Sequence, residues 1–432
     1  MQLSIDGERF QFDGELTYSD SPAVERVGGL LMNARFIQGI FDDAAVGAGV
    51  GRERYARFGY EVYDPEAQTD RLIAALPAWY GWGLRAFTVG FQGGGPCFTV
   101  HNPEIENNPF GVRGDELDEA YASRMDRLIR AADGLGMAVI VSFLYGAQTL
   151  RLEDDAAVRR AVETASRWLK AGGYQNVIIE VANEQDLGVF KPRPVVYEPQ
   201  GMAELIRLAR EASGGMPVGC SGCGGSVHEP IASASDVVLI HGNAQSRQRY
   251  QRLIERAKGY APGRPVVCNE DSPGISNLAV SVRAGASWGY YNNWSKQEPP
   301  TDFGVLPGLD RCFAWRMKEA LGYAVEPPAE ADRFVLYGLG EHEWAWAGPS
   351  GEQEVKRWPG LACVWPEAVD RVVFERDGRV VGVCYDDPFA VGWQSNWHHA
   401  GYAAEPGEHR WRATAHLLDG SEVVREAVAE QA

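Results

Sequence analysis

The sequence has no arrangement of cysteines from which a disulfide framework or a metal centre can be read. Its seven cysteines are odd in number and scattered over 432 residues, at positions 97, 220, 223, 268, 312, 363 and 384. Cys220 and Cys223 form a C-x-x-C, but a zinc site of known spacing would add a second C-x-x-C or a pair of histidines. We therefore expect no metal ion and no disulfide framework.

The chain also lacks the segments that carry a protein into a membrane. Residues 1–14 have neither the basic nor the apolar region of a secretory leader, and no apolar run approaches the ~20 residues of a membrane span. As written, the sequence predicts a cytoplasmic protein, or a secreted one if a leader was trimmed. The net charge of −18 would repel nucleic acid and anionic membranes. We therefore expect neither as a partner, whereas a neutral ligand meets no such repulsion.

Short apolar runs rich in Val and Ile alternate with helical patterns between residues 29 and 325. Such runs are typical of parallel strands that are buried on both faces. Eight strands are predicted, at 30–36, 84–91, 137–146, 176–184, 216–222, 236–243, 264–271 and 285–294. Apolar spacing predicts a helix at 117–132 and a second one that has Asp154 or Asp155 as its cap and ends at Gly172-Gly173, and further helices are predicted at 202–212, 247–258 and 310–322. Eight strands that alternate with helices favour a (β/α)8 barrel over an open doubly wound sheet.

The ends of the chain follow another pattern. After residue 325 the sequence is β-rich, with Asp-Gly turn signals between apolar stretches, which predicts a C-terminal antiparallel β-sandwich. The first residues predict a hairpin that either joins this sheet or closes the bottom of the barrel. We therefore divide the chain into an N-terminal β-hairpin segment (1–28), a catalytic barrel (29–325) and a C-terminal β-rich domain (326–432).

Two motifs of other barrel and α/β enzymes are missing. The glycine cluster GFQGGGP at 90–96 lacks the G-x-G-x-x-G spacing and does not lead into a helix. We interpret it as a loop that brings the backbone close to a ligand or a neighbour, or as a simple turn. None of the eight predicted strands ends in Lys, which argues against a Schiff-base lyase or aldolase.

Two predicted strands, the fourth and the seventh, end in Asn-Glu. These pairs are Asn183-Glu184 and Asn269-Glu270. In a parallel barrel the carboxyl ends of the strands converge on one mouth. Two Glu residues across such a mouth suit retaining glycoside hydrolysis, in which one protonates the leaving oxygen and the other attacks the anomeric carbon. Charged residues may end a strand simply because it reaches the surface, but their occurrence on these two strands favours a site.

This arrangement resembles the clan A glycoside hydrolases, which are (β/α)8 enzymes with an Asn-Glu acid/base on strand four and a nucleophile Glu on strand seven. The resemblance implies that Glu184 is the acid/base and Glu270 the nucleophile. It also implies that Asn183 binds the sugar 2-hydroxyl and that Trp288, on the eighth strand, lies under the reacting sugar. His241, at the end of the sixth strand, is placed like the His or Tyr that orients the nucleophile.

The sequence lacks one arginine of the family pattern. Many clan A members have an Arg near the end of strand two, whereas Arg85 lies near the start of that predicted strand. We expect Arg35, on the first strand, to supply the positive charge beside Glu270 instead.

Other acidic residues near predicted strand ends have two interpretations each. Asp42 and Asp43 follow the first strand and either bind sugar hydroxyls or cap a turn. Asp186 and Asp271 follow the two glutamates and either tune them or cap the next loops.

Together these features predict a retaining hydrolase of β-glycosidic bonds that acts on an oligosaccharide or glycoside and needs no cofactor. The alternative is a catalytically silent barrel that binds carbohydrate or serves as a scaffold. Retention of both glutamates argues against that alternative.

Overall fold

The computed structural model describes residues 1–47, 50–58, 63–96, 100, 104–339, 344–347, 353–394, 398–399, 402–403 and 405–431. Within these ranges, no helix combines the length and the apolar character that a bilayer crossing requires.

The N-terminal residues form a small antiparallel sheet. Its strands are β1 (Leu3–Asp6), β2 (Arg9–Phe12) and β3 (Glu15–Leu16). Leu3 and Phe10 pack on a buried apolar cluster that includes Leu31, Ala86 and Val267, from the segments where the central strands begin. Of the two predicted positions for this segment, the structure therefore has it at the bottom of the central strands.

Eight short strands follow, one within each of the eight predicted runs. They are β4 (Asn33–Arg35), β5 (Ala86–Gly90), β6 (Ala138–Tyr145), β7 (Val177–Asn183), β8 (Val218–Gly219), β9 (Val238–His241), β10 (Val266–Glu270) and β11 (Gly289–Tyr290). Nearly all of their residues are buried, which explains why they are apolar at successive positions.

The central sheet is mainly parallel. Six strands pair in the order β11-β4-β5-β6-β7-β8, and β9 pairs with β10 in a second parallel ladder. Backbone hydrogen bonds join the two sheets on both sides, from Asp236 N to Val218 O (2.8 Å) and from Ser287 N to Val266 O (3.0 Å). The carboxyl ends of these strands therefore meet at one edge of the molecule.

Helices connect the central strands, and all five predicted helices are present. The α-helices are α1 (Val24–Val27), α2 (Pro65–Trp82), α3 (Glu119–Leu135), α4 (Gly146–Thr149), α5 (Asp155–Gly172), α6 (Pro194–Tyr197), α7 (Pro199–Ser213), α8 (Glu229–Ala234), α9 (Arg247–Tyr260), α10 (Ser276–Ala284), α11 (Asn293–Lys296), α12 (Leu309–Ala320) and α13 (Glu330–Arg333). Of the two predicted capping residues of α5, Asp154 is the cap: its side chain accepts the Ala157 N–H, and Gly173 ends the helix in a left-handed conformation (φ +69°).

The C-terminal region is built from β-strands, as the sequence predicts. They are β12 (Phe334–Tyr337), β13 (Trp344–Ala347), β14 (Gln353–Arg357), β15 (Gly360–Cys363), β16 (Val369–Arg376), β17 (Arg379–Cys384), β18 (Phe389–Ala390), β19 (Trp393–Gln394), β20 (His398–His399), β21 (Tyr402–Ala403), β22 (Gly407–Leu417) and β23 (Glu422–Gln431). The predicted run EWAWAG contains β13, and its first and last residues lie outside the described ranges. The Asp377-Gly378 turn joins β16 to β17, with positive φ at both residues.

Candidate active site

Two glutamates occupy the carboxyl ends of β7 and β10. Glu184 directly follows β7, and Glu270 is the last residue of β10. Their side chains are 18% and 5% exposed. A carboxylate oxygen from each, together with a ring nitrogen of His241, forms a group whose atoms lie within 4.8 Å of one another. The strand ends thus bring two predicted site residues from distant parts of the chain to within reach of one small molecule.

Glu270 is held through both of its carboxylate oxygens. Arg35 Nε lies 2.8 Å from Oε2, and Asn243 Nδ2 donates to Oε1 at 2.8 Å. The Arg35 side chain is fully buried. Burial lowers the pKa of Arg35, but the nearby carboxylates of Glu270 and Glu180 outweigh this and raise it above its usual value. A buried cation therefore faces Glu270, at the position where the sequence predicts one.

Arg35 also connects the two halves of the site. Its Nη2 donates to Asn183 Oδ1 at 2.7 Å. Asn183 is the last residue of β7, so one guanidinium links the strand end that carries Glu184 to the carboxylate of Glu270. The planar guanidinium can bind several acceptors at fixed angles, which makes it suited to setting their relative positions.

The backbone of Glu184 has an unusual conformation. Its φ of +50° lies in the left-handed region, which costs a residue other than glycine of the order of 1–3 kcal/mol. The Glu184 N–H donates to Ser221 Oγ at 3.2 Å, and the Gln185 N–H donates to Ser221 O at 3.0 Å. The turn that directs Glu184 is therefore held by its neighbour at the end of β8.

The surroundings of Glu184 favour its protonated form. Burial raises the pKa of Glu184, and the negative charge of Glu270 raises it further, against a hydrogen bond from His241 that lowers it. Glu184 is thus favoured as an acid, whereas the Glu270 carboxylate is paired with a cation. Catalysis by two carboxyl groups requires such a difference between their environments.

His241 lies between the two glutamates. Its Nδ1 is 3.1 Å from Glu184 Oε1 and 3.7 Å from Glu270 Oε2. Burial lowers the pKa of His241, but the two carboxylates raise it more, so that the net direction is upward. The family resemblance places this histidine beside the nucleophile, whereas its shorter contact here is with Glu184.

A third carboxylate, which the sequence analysis did not use, lies below the site. Glu180 is fully buried in β7 and accepts from Ser221 Oγ (2.7 Å) and Asn269 Nδ2 (2.9 Å). Ser221 also accepts the Glu184 N–H, and Asn269 precedes Glu270. Glu180 thus anchors the strand ends that carry Glu184 and Glu270. A lone Glu within an apolar strand could have indicated this, because a buried carboxylate requires partners.

Asn243 is the second residue that the sequence analysis missed. It follows His241 by two positions, beyond the end of β9, and its amide binds Glu270. A polar residue just after a strand end was the available signal, but the sequence alone does not show which way the turn directs its side chain.

Trp288 is placed by a buried carboxylate. Its Nε1 donates to Asp271 Oδ2 at 2.8 Å, and Asn277 Nδ2 donates to the same oxygen at 3.1 Å. The indole is fully buried and contacts the ring of Phe313, with centroids 5.5 Å apart. In this structure it presents no exposed face to a sugar, and its stacking role stays a prediction.

Asp42 lies in a separate ion-pair network. Both of its oxygens accept from Arg52, at 2.8 and 2.6 Å, and Arg124 Nη2 lies 3.8 Å away. These cations occupy the carboxylate, so binding of a hydroxyl would require Arg52 to move. The hydroxyl-binding role of Asp42 stays a prediction.

Asp186, beyond Glu184, caps a loop. Its carboxylate accepts from Cys223 N (2.7 Å), Ser226 Oγ (2.6 Å) and His228 Nε2 (3.1 Å). Burial alone would raise the pKa of Asp186, but these donors lower it to about 2. Within the described ranges, neither Cys223 nor Cys220 belongs to a group with the geometry of a metal site.

Glu184, His241 and Glu270 are themselves residue types that bind Zn²⁺. A divalent cation there would lie beside the Arg35 guanidinium, which is already paired with Glu270. Repulsion between the two cations opposes metal binding. The group is therefore better suited to acid/base and nucleophilic chemistry than to holding a metal ion.

No protein-family model matches this chain, and no curated protein sequence matches it. Its neighbours among solved structures are glycoside hydrolases. The endo-β-1,4-mannanase from Thermotoga petrophila is 12% identical, and the match covers 93% of this chain and 97% of the mannanase with a TM-score of 0.44. A glycoside hydrolase family 5 enzyme from Prevotella bryantii is 12% identical over 69% of this chain and 98% of its own, also with a TM-score of 0.44.

The β-glucuronidase from Parabacteroides merdae is 12% identical, and the match covers 99% of this chain and 50% of the glucuronidase with a TM-score of 0.38. This chain therefore spans about half the length of that enzyme. With identities this low and TM-scores below 0.5, none of these likenesses assigns an activity to this chain.

Proposed function

We propose that this protein is a retaining β-glycosidase. The observation that carries the proposal is the separation of the two strand-end carboxylates, whose oxygens approach within 4.8 Å. Retaining enzymes hold their carboxyl groups ~5–5.5 Å apart, whereas inverting enzymes need ~6.5–9.5 Å to leave room for a water molecule. The approach of Glu184 and Glu270 thus supports double displacement.

The proposal includes an architecture. The eight parallel strands of residues 29–325 form a closed (β/α)8 barrel, residues 1–28 cover its bottom, and residues 326–432 form a C-terminal β-sandwich domain. Hydrogen bonds from Asp236 N, just before β9, to Val218 O of β8 and from Ser287 N, before β11, to Val266 O of β10 support closure. The separate antiparallel sheets after residue 325 support the sandwich.

In the first step, Glu270 attacks the anomeric carbon while Glu184 donates its proton to the glycosidic oxygen, so that the aglycone leaves as an alcohol. The product is a glycosyl ester of Glu270. In the second step Glu184, now a carboxylate, takes a proton from water, which attacks the anomeric carbon and releases Glu270. Neither step needs a metal ion or an organic cofactor.

The other residues have positioning and binding roles in this proposal. Arg35 and Asn243 orient the Glu270 carboxylate, and His241 orients Glu184 through its Nδ1 contact. Asn183, held by Arg35, binds the sugar 2-hydroxyl. The substrate is an oligosaccharide or glycoside.

The test uses aryl β-glycosides with good leaving groups. Glu270→Gln should abolish turnover and leave the circular dichroism spectrum unchanged, because the amide cannot attack. Glu184→Ala should keep part of its activity on these substrates and gain activity with azide, with formation of a β-glycosyl azide. Full activity of Glu270→Gln would contradict the nucleophile assignment.

The same test separates the proposal from a silent carbohydrate-binding barrel. A silent barrel would bind sugars without hydrolysing any glycoside, in the wild type as in the variants. An α-configured azide product would contradict the proposed roles, because rescue of the acid/base variant of a retaining β-glycosidase keeps the β configuration.

A further inference from the structure

A deep cleft lies between the central strands and the C-terminal region. Its volume is about 1220 Å³. One wall is formed by residues 244–249, which lead into α9, and by the segment after β10. The opposite wall is formed by residues 381–393, which run from β17 through β18 to β19. The proposed catalytic roles use none of this space.

The lining of the cleft includes chain neighbours of the proposed catalytic residues. Asp271 and Ser272 line it and directly follow Glu270, and Ala244 lines it and follows Asn243, which binds Glu270. Glu270 and Asn243 do not line the cleft themselves, so a molecule in it would lie beside the proposed nucleophile, next to the residues that follow Glu270 and Asn243 in the chain.

Hydrogen bonds join the two walls. Asp387, in the loop between β17 and β18, accepts hydrogen bonds from the backbone N–H groups of Ile275 (2.6 Å) and Ser276 (3.1 Å) and from Ser276 Oγ (3.1 Å). A Cβ atom on Gly274 would lie 2.8 Å from the Asp387 carbonyl oxygen, so the two loops are also in close contact. The cleft is thus a preformed feature.

The chemistry of the lining suits a sugar chain. Tyr385 lines the cleft and is 66% exposed, and Trp393 lines it as well. Such amphipathic rings can cover the apolar face of a sugar while their polar ends remain hydrated. Gln245, Gln248 and Arg249 add amide and guanidinium groups that can bind hydroxyls.

The side chain of Asn277 adds a hydrogen-bond acceptor to the cleft. Asn277 lines the cleft and is 7% exposed, and its Nδ2 donates to Asp271 and to Gln245 O. Among the described residues its Oδ1 has no hydrogen-bond partner. A buried acceptor of this kind favours a ligand that brings hydroxyl donors.

We propose that this cleft binds the further sugar units of an oligosaccharide or polysaccharide chain whose scissile bond lies at Glu184 and Glu270. This inference rests on the proposed glycosidase function and names its substrate class, a chain rather than a small glycoside. Ligand pockets of ~300–1,000 Å³ hold most drug-sized molecules, so the cleft has room for more than one sugar unit. The C-terminal region thereby forms part of the substrate site.

The experiment measures kcat/KM for an aryl β-monoglycoside and for β-linked gluco-, manno- and xylo-oligosaccharides from disaccharide to hexasaccharide. For the wild type, kcat/KM should rise with chain length in the preferred series. Tyr385→Ala should lower kcat/KM for the longest substrate by about five- to tenfold, the loss expected for one stacked ring. The same variant should leave kcat/KM for the aryl β-monoglycoside unchanged.

Two further variants provide a second test of the cleft and a control outside it. Arg249→Ala removes a second exposed lining group and should show the same dependence on chain length. Val428 is exposed on β23 and does not line the cleft, so Val428→Ala should change kcat/KM for neither the monoglycoside nor the longest substrate. Equal effects of Tyr385→Ala and Val428→Ala on the longest substrate would overturn the inference and leave the proposed function intact.

Binding separates the inference from the proposed function. Calorimetric titration of Glu270→Gln with the same hexasaccharides, with and without Tyr385→Ala, reports on the cleft when no turnover occurs. If the wild type hydrolyses no glycoside but Tyr385→Ala weakens oligosaccharide binding, the cleft is a sugar-binding site and the proposed glycosidase function is refuted. Absence of binding to every oligosaccharide would overturn the inference.

Discussion

The Asp271→Asn variant should remove a pH dependence of stability that originates in one buried carboxyl group. Burial raises the pKa of Asp271 to about 7, although the donors Trp288 and Asn277 lower it in part. The usual value for Asp is 3.8. Because the folded protein binds this proton more tightly than the unfolded chain, the group stabilises the fold fully below pH 3.8. That contribution is lost progressively as the pH rises to about 7.

The magnitude follows from the two pKa values. One pKa unit corresponds to about 1.36 kcal/mol, so the free energy of unfolding should lose about 4 kcal/mol from this group over that pH range. Asparagine has nearly the same shape, stays neutral and keeps an oxygen that can accept the Trp288 N–H. Relative to the wild type, the variant should therefore gain about 4 kcal/mol between pH 4 and pH 7, with no further gain at higher pH.

The assay is urea denaturation, followed by tryptophan fluorescence, of the wild type and the variant at intervals from pH 4 to pH 8. Asp70→Asn is the matched control, because Asp70 forms an exposed ion pair with Arg127 that is worth at most about 1 kcal/mol. A difference between wild type and Asp271→Asn that stays constant with pH would refute the reasoning, since Asp271 would then have the same proton affinity in both states.

Two further predictions concern the ion pair and the acid. Arg35→Met should lower the free energy of unfolding by about 3–5 kcal/mol in urea denaturation, because it leaves the buried Glu270 carboxylate without its cation. The control Arg130→Met, which removes an exposed ion pair, should lower it by less than about 1 kcal/mol. Equal losses in the two variants would contradict the buried pairing. The pKa of Glu184 is raised, and in the proposed mechanism this group donates a proton, so kcat/KM for a glycoside with a poor leaving group should fall as the pH rises through that raised pKa. An activated aryl glycoside should lose this basic limb, and identical profiles for both substrates would count against Glu184 as the acid.

Local patterns were sufficient to predict the elements that carry the site. Burial on both faces makes the central strands apolar at successive positions, and Asp154, Gly173 and the Asp377-Gly378 turn have side-chain or backbone preferences that act within a few residues. The helices α2, α8 and α10 and five helices of only four residues each (α1, α4, α6, α11 and α13) were not predicted. In α2, Pro77 interrupts a pattern whose buried positions otherwise recur as in any amphipathic helix.

The two Asn-Glu pairs were also identifiable from the sequence, because each of them directly ends an apolar run. Their partners were not. Glu180 looked like an unexplained charge within a strand, and only the packing of β7 against β8 and β10 shows that it holds Ser221 and Asn269. Asn243 was hidden for the same reason, because the direction of a side chain after a strand end depends on the turn.

By itself, the sequence determined where the central strands and five of the helices form and which strand ends carry carboxylates, because hydrophobic periodicity and capping are local properties. Only the tertiary structure decided which groups meet. Arg35 reaches Asn183 across 148 positions, Trp288 turns its N–H towards Asp271, and the loop around Asp387 packs against Ser276 to form the cleft. Contacts of this kind depend on strand register and loop direction, and no short segment of the sequence specifies either.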